Sequence, residues 1–143
     1  MDDIERLLRK KALELAGRGG GARCCVVSYA PGHVITSEAQ LKNAIMGCRV
    51  ALLLFFGRLC PLCHAFEPVF RQVGEMYRGM ANFVRADIEE FYYLADALGV
   101  AGTPSVAVFI DGRPVDVVPG PVGASQLKSL VESALRYAGC LKG

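Results

Sequence analysis

Cys60 and Cys63 are the two residues of this sequence best spaced for chemistry, in the run Cys60-Pro61-Leu62-Cys63. They stand where an apolar run, Val50 to Phe56, gives way to a helical pattern from about Pro61 to Arg78. Cysteines at i and i+3 at a helix start can close into a small disulfide ring. The first sits at or just before the first turn, where unpaired N–H groups and the helix dipole favour a thiolate. The second, one turn in, is shielded and placed to resolve a mixed disulfide. Pro61 fits early in a helix, where its missing N–H costs nothing. The chemistry this supports is thiol–disulfide exchange: attack by Cys60, a mixed disulfide, then release by Cys63. A zinc knuckle is the rival, since CxxC also occurs in metal sites, but a structural zinc needs four ligands. Cys24, Cys25, Cys48, Cys140, His33 and His64 form neither a second CxxC nor a spaced His pair, so no metal is expected. Two buried structural thiols are the plainest alternative, and the helix-start position argues against it.

The elements that must hold this pair follow from periodicity. Residues 3 to 16 read as a helix with Ile4, Leu7, Leu8 and Leu15 on one face. Gly17 to Gly21 then reads as a flexible hinge, so residues 1–21 form an extension and 22–143 the main domain. Cys24 to Tyr29 reads as a strand, with a turn at Pro31-Gly32 and a shorter strand through His33 to Ile35. Ser37-Glu38-Ala39-Gln40 is a capping box for a helix to about Met46, stopped by Gly47. Val50 to Phe56 is apolar throughout, as a central strand covered on both faces would be. The following helix carries Leu62, Phe66, Val69, Phe70, Val73 and Tyr77 on one face and Pro68 inside it, where a kink is expected. Asn82 to Asp87 is a strand, and Phe91 to Leu98 a short helix ended by Gly99. Ser105 to Ile110 and Arg113 to Val118 flank Asp111-Gly112, a two-residue hairpin signal. A last helix spans about Ala124 to Ala138. The order predicts an α/β fold: a mixed, mostly parallel sheet of four to five strands with helices on both faces.

Composition narrows the function classes. The chain has 143 residues, of which 52% are hydrophobic and 21% charged, which excludes a disordered protein. Its 16 Lys and Arg against 14 Asp and Glu leave a net charge of +2, no electrostatic footprint for nucleic acid or an anionic membrane. The seven-residue apolar run is far too short to span a bilayer. The opening residues are charged from the second onward, without a secretory stretch, so a cytoplasmic location is expected. Six cysteines fit that compartment only through redox or metal chemistry, or in a hyperthermophile whose cytosol tolerates disulfides. Scarce Asn and Gln agree with the thermophile reading. Cys24, Cys25, Cys48 and Cys140 are open between buried free thiols and bridges such as Cys25–Cys48 or Cys24–Cys140.

From about Val34 to Tyr137 the chain resembles thioredoxins. The segment FFGRLCPLCHAFEPVF (55–70) is similar to their active-site segment, with Pro68 five residues after Cys63. Gly102-Thr103-Pro104-Ser105, with Pro104 44 residues after Cys60, resembles the family's cis-proline loop. Phe109-Ile110-Asp111-Gly112 resembles the hairpin before the final helix, and Gly120 followed by Gln126-Leu127-Lys128 resembles the glycine and closing helix. The resemblance implies a thioredoxin fold, a cis Thr103–Pro104 bond and a redox disulfide with no other cofactor. It implies that Pro61, Leu62, Gly102, Thr103, Pro104 and Gly120 rim a shallow substrate-docking surface, the backbone before Pro104 pairing with the client chain like an added strand. Its implied partners are disulfide-containing client proteins and a flavin-dependent thioredoxin reductase. A monomer is the family default, and the N-terminal helix leaves a dimer open.

The sequence also departs from the family. Leu59 replaces a tryptophan, the inner pair is Pro61-Leu62, and Leu54 stands where the family has a buried aspartate that helps deprotonate the second cysteine. Arg85 stands in place of a lysine. Water, or else His64, must then take the proton of Cys63. Arg58, Arg85 and His64 add positive charge, which favours a Cys60 thiolate and a more oxidising pair. Three functions follow in order: a thioredoxin that reduces clients, a disulfide oxidase or isomerase, and a redox-inert adaptor.

Overall fold

The computed structural model describes residues 24–142; the expected N-terminal helix and glycine hinge lie outside them. Nine elements follow in order: β1 (His33–Val34), α1 (Glu38–Gly47), β2 (Val50–Phe56), α2 (Pro61–Met76), β3 (Ala81–Asp87), α3 (Tyr92–Leu98), β4 (Ser105–Ile110), β5 (Arg113–Pro119) and α4 (Ala124–Tyr137). The sheet runs β1-β3-β2-β4-β5. β1 and β2 pair parallel to β3, while β4 pairs antiparallel to β2 and to β5.

β2 organises the rest because its seven apolar residues alternate between two faces. Val50, Leu52 and Leu54 meet Phe66, Phe70 and Val73 of α2 and Leu127, Val131 and Leu135 of α4. Ala51, Leu53 and Phe55 meet Leu41 and Ala44 of α1 and Ala95 of α3 on the other side. Leu52, Leu53, Leu54 and Phe55 are fully buried, each stabilising the fold by about 2 kcal/mol. On the α2 side, the Tyr77 hydroxyl donates to a carboxylate oxygen of Glu132. Burial first, and then this bond, push the phenol up to about 12.

Asp111 (φ 52°) and Gly112 (φ 79°) both adopt the left-handed conformation that a two-residue hairpin demands. Arg49, just before β2, grips Asp111 with both ends of its guanidinium fork, at 2.9 and 3.0 Å. Pro114 is tolerated because β5 is an edge strand.

Two expectations need correction. Cys24 to Tyr29 is not a strand; only a single bridge links Cys25 to Cys48. The position beside β3 is held by β1, so this segment instead crosses the end of α1. There the N–H groups of Val26 and Val27 both donate to the Gly47 carbonyl. The buried Asn82 amide secures the crossing: it donates to the carbonyls of Val27 and Ala44 and accepts from the Tyr29 N–H. Gly47, expected as the stop just past the helix, is instead its last residue, and Cys48 is the C-cap. Its missing side chain is needed because a Cβ there would lie 2.4 Å from the Val27 carbonyl oxygen. The capping box forms by half. The Ser37 hydroxyl accepts from the Gln40 N–H at 3.1 Å, whereas the Gln40 side chain accepts from the Thr36 N–H.

Candidate active site

β2 ends at Phe56, and Gly57, Arg58 and Leu59 carry the chain to α2. Cys60 is the N-cap of α2 and Pro61 its first helical residue. The extended cap conformation turns the sulfur back over the helix start, where Cys60 Sγ accepts the Cys63 N–H at 3.1 Å. Sulfur thus fills the role a serine or aspartate oxygen usually plays at this position. A negative sulfur there would strengthen that bond and gain from the dipole. Cys60 and Cys63 are joined as a disulfide. Cys60 is half-buried, while Cys63 is 5% exposed.

The turn before β4 brings Thr103 to this pair. Its carbonyl oxygen lies 3.7 Å from Cys60 Sγ, and the Thr103–Pro104 peptide is cis. Gly57 admits the close approach: a Cβ there would sit 3.1 Å from Thr103 Oγ1. The loop is fastened on both sides. The Ser105 hydroxyl donates to the Gly102 carbonyl at 2.7 Å, and the Gly120 N–H donates to the Pro104 carbonyl at 2.8 Å. Gly120 has φ 78°, which its lack of a side chain permits.

A groove of about 410 Å³ starts at Leu62 and runs past Gly102, Thr103 and Pro104 to Gly120. Five of the residues expected around Cys60 therefore share one wall. Pro61 is exposed on the first turn of α2 and does not line the groove. Val100, Val117, Pro119 and Pro121 are among the other residues that line it. Their apolar residue types carry no signal of this role in the sequence, apart from Pro119 and Pro121 flanking Gly120. Leu59 is 99% exposed and Leu62 57% exposed, so the sulfur stands amid apolar surface. Among the described residues no cluster of His, Cys, Asp and Glu could hold a metal ion.

The Thioredoxin family model matches residues 32–133. The chain belongs to the thioredoxin family. A thioredoxin of Synechocystis is 27% identical over 100 residues, 69% of this chain and 94% of that protein. A segment of NADPH-dependent thioredoxin reductase 3 from Arabidopsis thaliana is 29% identical over 85 residues, 59% of this chain and 16% of that protein. The solved structure of a point mutant of thioredoxin from Halobacterium salinarum superposes with a TM-score of 0.67 at 30% identity, covering 76% of this chain and 94% of that one. The chain is accordingly a thiol–disulfide oxidoreductase of thioredoxin type.

This thioredoxin-family chain has a second pocket, of about 310 Å³, behind Cys63. Leu54 and Phe56 of β2, Arg58, His64, Glu67 and Arg85 line it. Arg85 donates to the Gly32 carbonyl at 2.8 Å and lies 5.4 Å from the centre of the Phe56 ring. Arg58 pairs with the buried Asp87 at 3.0 Å; the hydrogen bond to Asp87, and then its charge, raise the guanidinium above its ordinary value. The remaining cysteines lie elsewhere, joined as Cys24–Cys140 and Cys25–Cys48. Among the described residues no helix is long and apolar enough to cross a membrane.

Proposed function

We propose that this chain reduces disulfides in client proteins. Cys60 attacks the client disulfide and Cys63 resolves the mixed disulfide. The observation that carries this is the asymmetry of the pair: Cys60 is only half-buried and its Sγ accepts an N–H at the helix start, while Cys63 is buried one turn in. The client chain lies along Gly102, Thr103 and Pro104, its backbone meeting the Thr103 carbonyl beside the sulfur. Pro61, Leu62 and Gly120 border the same surface. A flavin-dependent thioredoxin reductase returns the pair to the dithiol, with no further cofactor. The protein acts as a monomer in the cytoplasm.

A second reading has its own support. Leu54 is fully buried in the pocket behind Cys63, and Arg58 and Arg85 share that pocket. Positive charge without a buried carboxylate from β2 favours the reduced pair and makes a stronger oxidant, as in a disulfide oxidase or isomerase. The reduction potential separates the two. The pair is equilibrated in graded dithiol buffers, alkylated and weighed, with the other disulfides followed in the same spectra. A value of about −270 mV supports the reductant; one between about −180 and −120 mV supports the oxidase or isomerase.

A further inference from the structure

Resolution by Cys63, on the reading just proposed, requires it to lose a proton while Cys60 is held in a mixed disulfide, because the thiolate is the nucleophile. Cys63 is buried and shares its pocket with Leu54 and Phe56, surroundings that disfavour the charged form. A proton acceptor must therefore stand within reach. The charged and titratable groups facing this pocket are Arg58 from the loop after β2, His64 and Glu67 of α2, and Arg85 of β3. Arg58 is engaged by Asp87 and Glu90, and a guanidinium accepts no proton at neutral pH. His64 is exposed and, one residue on, is rotated by about 100° around the helix from Cys63. Glu67 is four residues on, which sets it on the same face one turn further. Its Oε1 accepts from Arg71 Nε at 3.1 Å, and its Oε2 has no hydrogen-bond partner among the described residues. The side chain is 24% exposed, and a polar pocket of about 310 Å³ has room for water between the two groups.

We infer that Glu67 accepts the proton of Cys63 across this pocket, through water, as the mixed disulfide is resolved. The Cys63 S–H bond breaks and its proton passes to Glu67. The Cys63 sulfur then bonds to Cys60 Sγ, and the bond from Cys60 to the client sulfur breaks. The client sulfur leaves with the electron pair and is protonated from Glu67 through solvent. Two electrons pass from the cysteine pair to the client, and no other reactant is needed.

The test uses the full chain, reduced stoichiometrically at Cys60–Cys63, with the other disulfides verified by mass. Mixed with dithiobis(nitrobenzoate), Cys60 releases one nitrothiobenzoate and Cys63 a second as it resolves. Glu67→Gln should leave the first phase unchanged and slow the second at least about ten-fold at pH 7. The difference should vanish above about pH 9.5, where hydroxide takes the proton directly. Glu75→Gln, removing the same charge farther along α2, should alter neither phase. Glu67 is overturned if its Gln variant keeps the wild-type second phase across the pH range, or if His64→Gln alone reproduces the loss. An unmodified chain that gives a first release and no second counts against the exchange reading itself, and the role of Glu67 falls with it.

Discussion

At the C-terminal end of β2 the Cys60–Cys63 disulfide spans three residues, with Cys60 half-buried and Cys63 buried. At the N-terminal end two disulfides span 116 and 23 residues; Cys24, Cys48 and Cys140 are buried and Cys25 is half-buried. The same bond does two kinds of work because loop length differs. Opening the short ring frees almost no chain, so the fold is held by the hydrophobic faces of β2 whichever redox state it takes. Closing the long loops restricts the unfolded chain by roughly 5 and 3 kcal/mol taken singly. The smaller loop lies inside the larger, so the two together contribute less than that sum.

Cys60→Ser should separate the two ends most completely. Turnover of a protein disulfide should fall to background while the urea midpoint barely moves; retained turnover would mean that the attacking thiol is not Cys60. Next comes Cys24→Ala with Cys140→Ala, which should lower unfolding stability by about 3–5 kcal/mol in urea titrations. Cys60 in that variant should still react with a thiol probe at the native rate. A slowed probe reaction at unchanged stability would show that the two ends are coupled.

Gly47→Ala tests the staple end without touching sulfur. A methyl group there meets the Val27 carbonyl oxygen, and the strain should cost about 1–3 kcal/mol by the same titration. The smallest effect belongs to Tyr77→Phe, about 1 kcal/mol at pH 7. Its sign with pH follows from the raised phenol. The contribution is whole below the unfolded value near 10 and is lost as the pH rises to about 12. Wild type and variant should therefore converge in stability across that window.

The active end was the more legible in the sequence. An unbroken apolar run marks β2, Asp111-Gly112 marks the hairpin, and Cys60-Pro61-Leu62-Cys63 marks the start of α2, all from neighbours along the chain. The staple end was not, because its order comes from contacts between distant residues. Cys24-Cys25-Val26-Val27 has the look of a strand, yet the N–H groups of Val26 and Val27 are taken by Gly47. Asn82 reads as an ordinary strand residue, although it ties three segments together. The pocket behind Cys63 was equally hidden, since Glu67 meets it only once α2 is laid over β2 and β3.

The Cys24–Cys140 bond also gives the molecule a mechanical bypass. Its Cα atoms are 6.0 Å apart, so tension applied through the chain on either side passes across one covalent link. The sheet and the reactive pair at its other end bear none of that load. A surface-tethered copy pulled through both flanking segments should extend no further than those segments allow until that bond is reduced. The strands would begin to part under force only after its reduction.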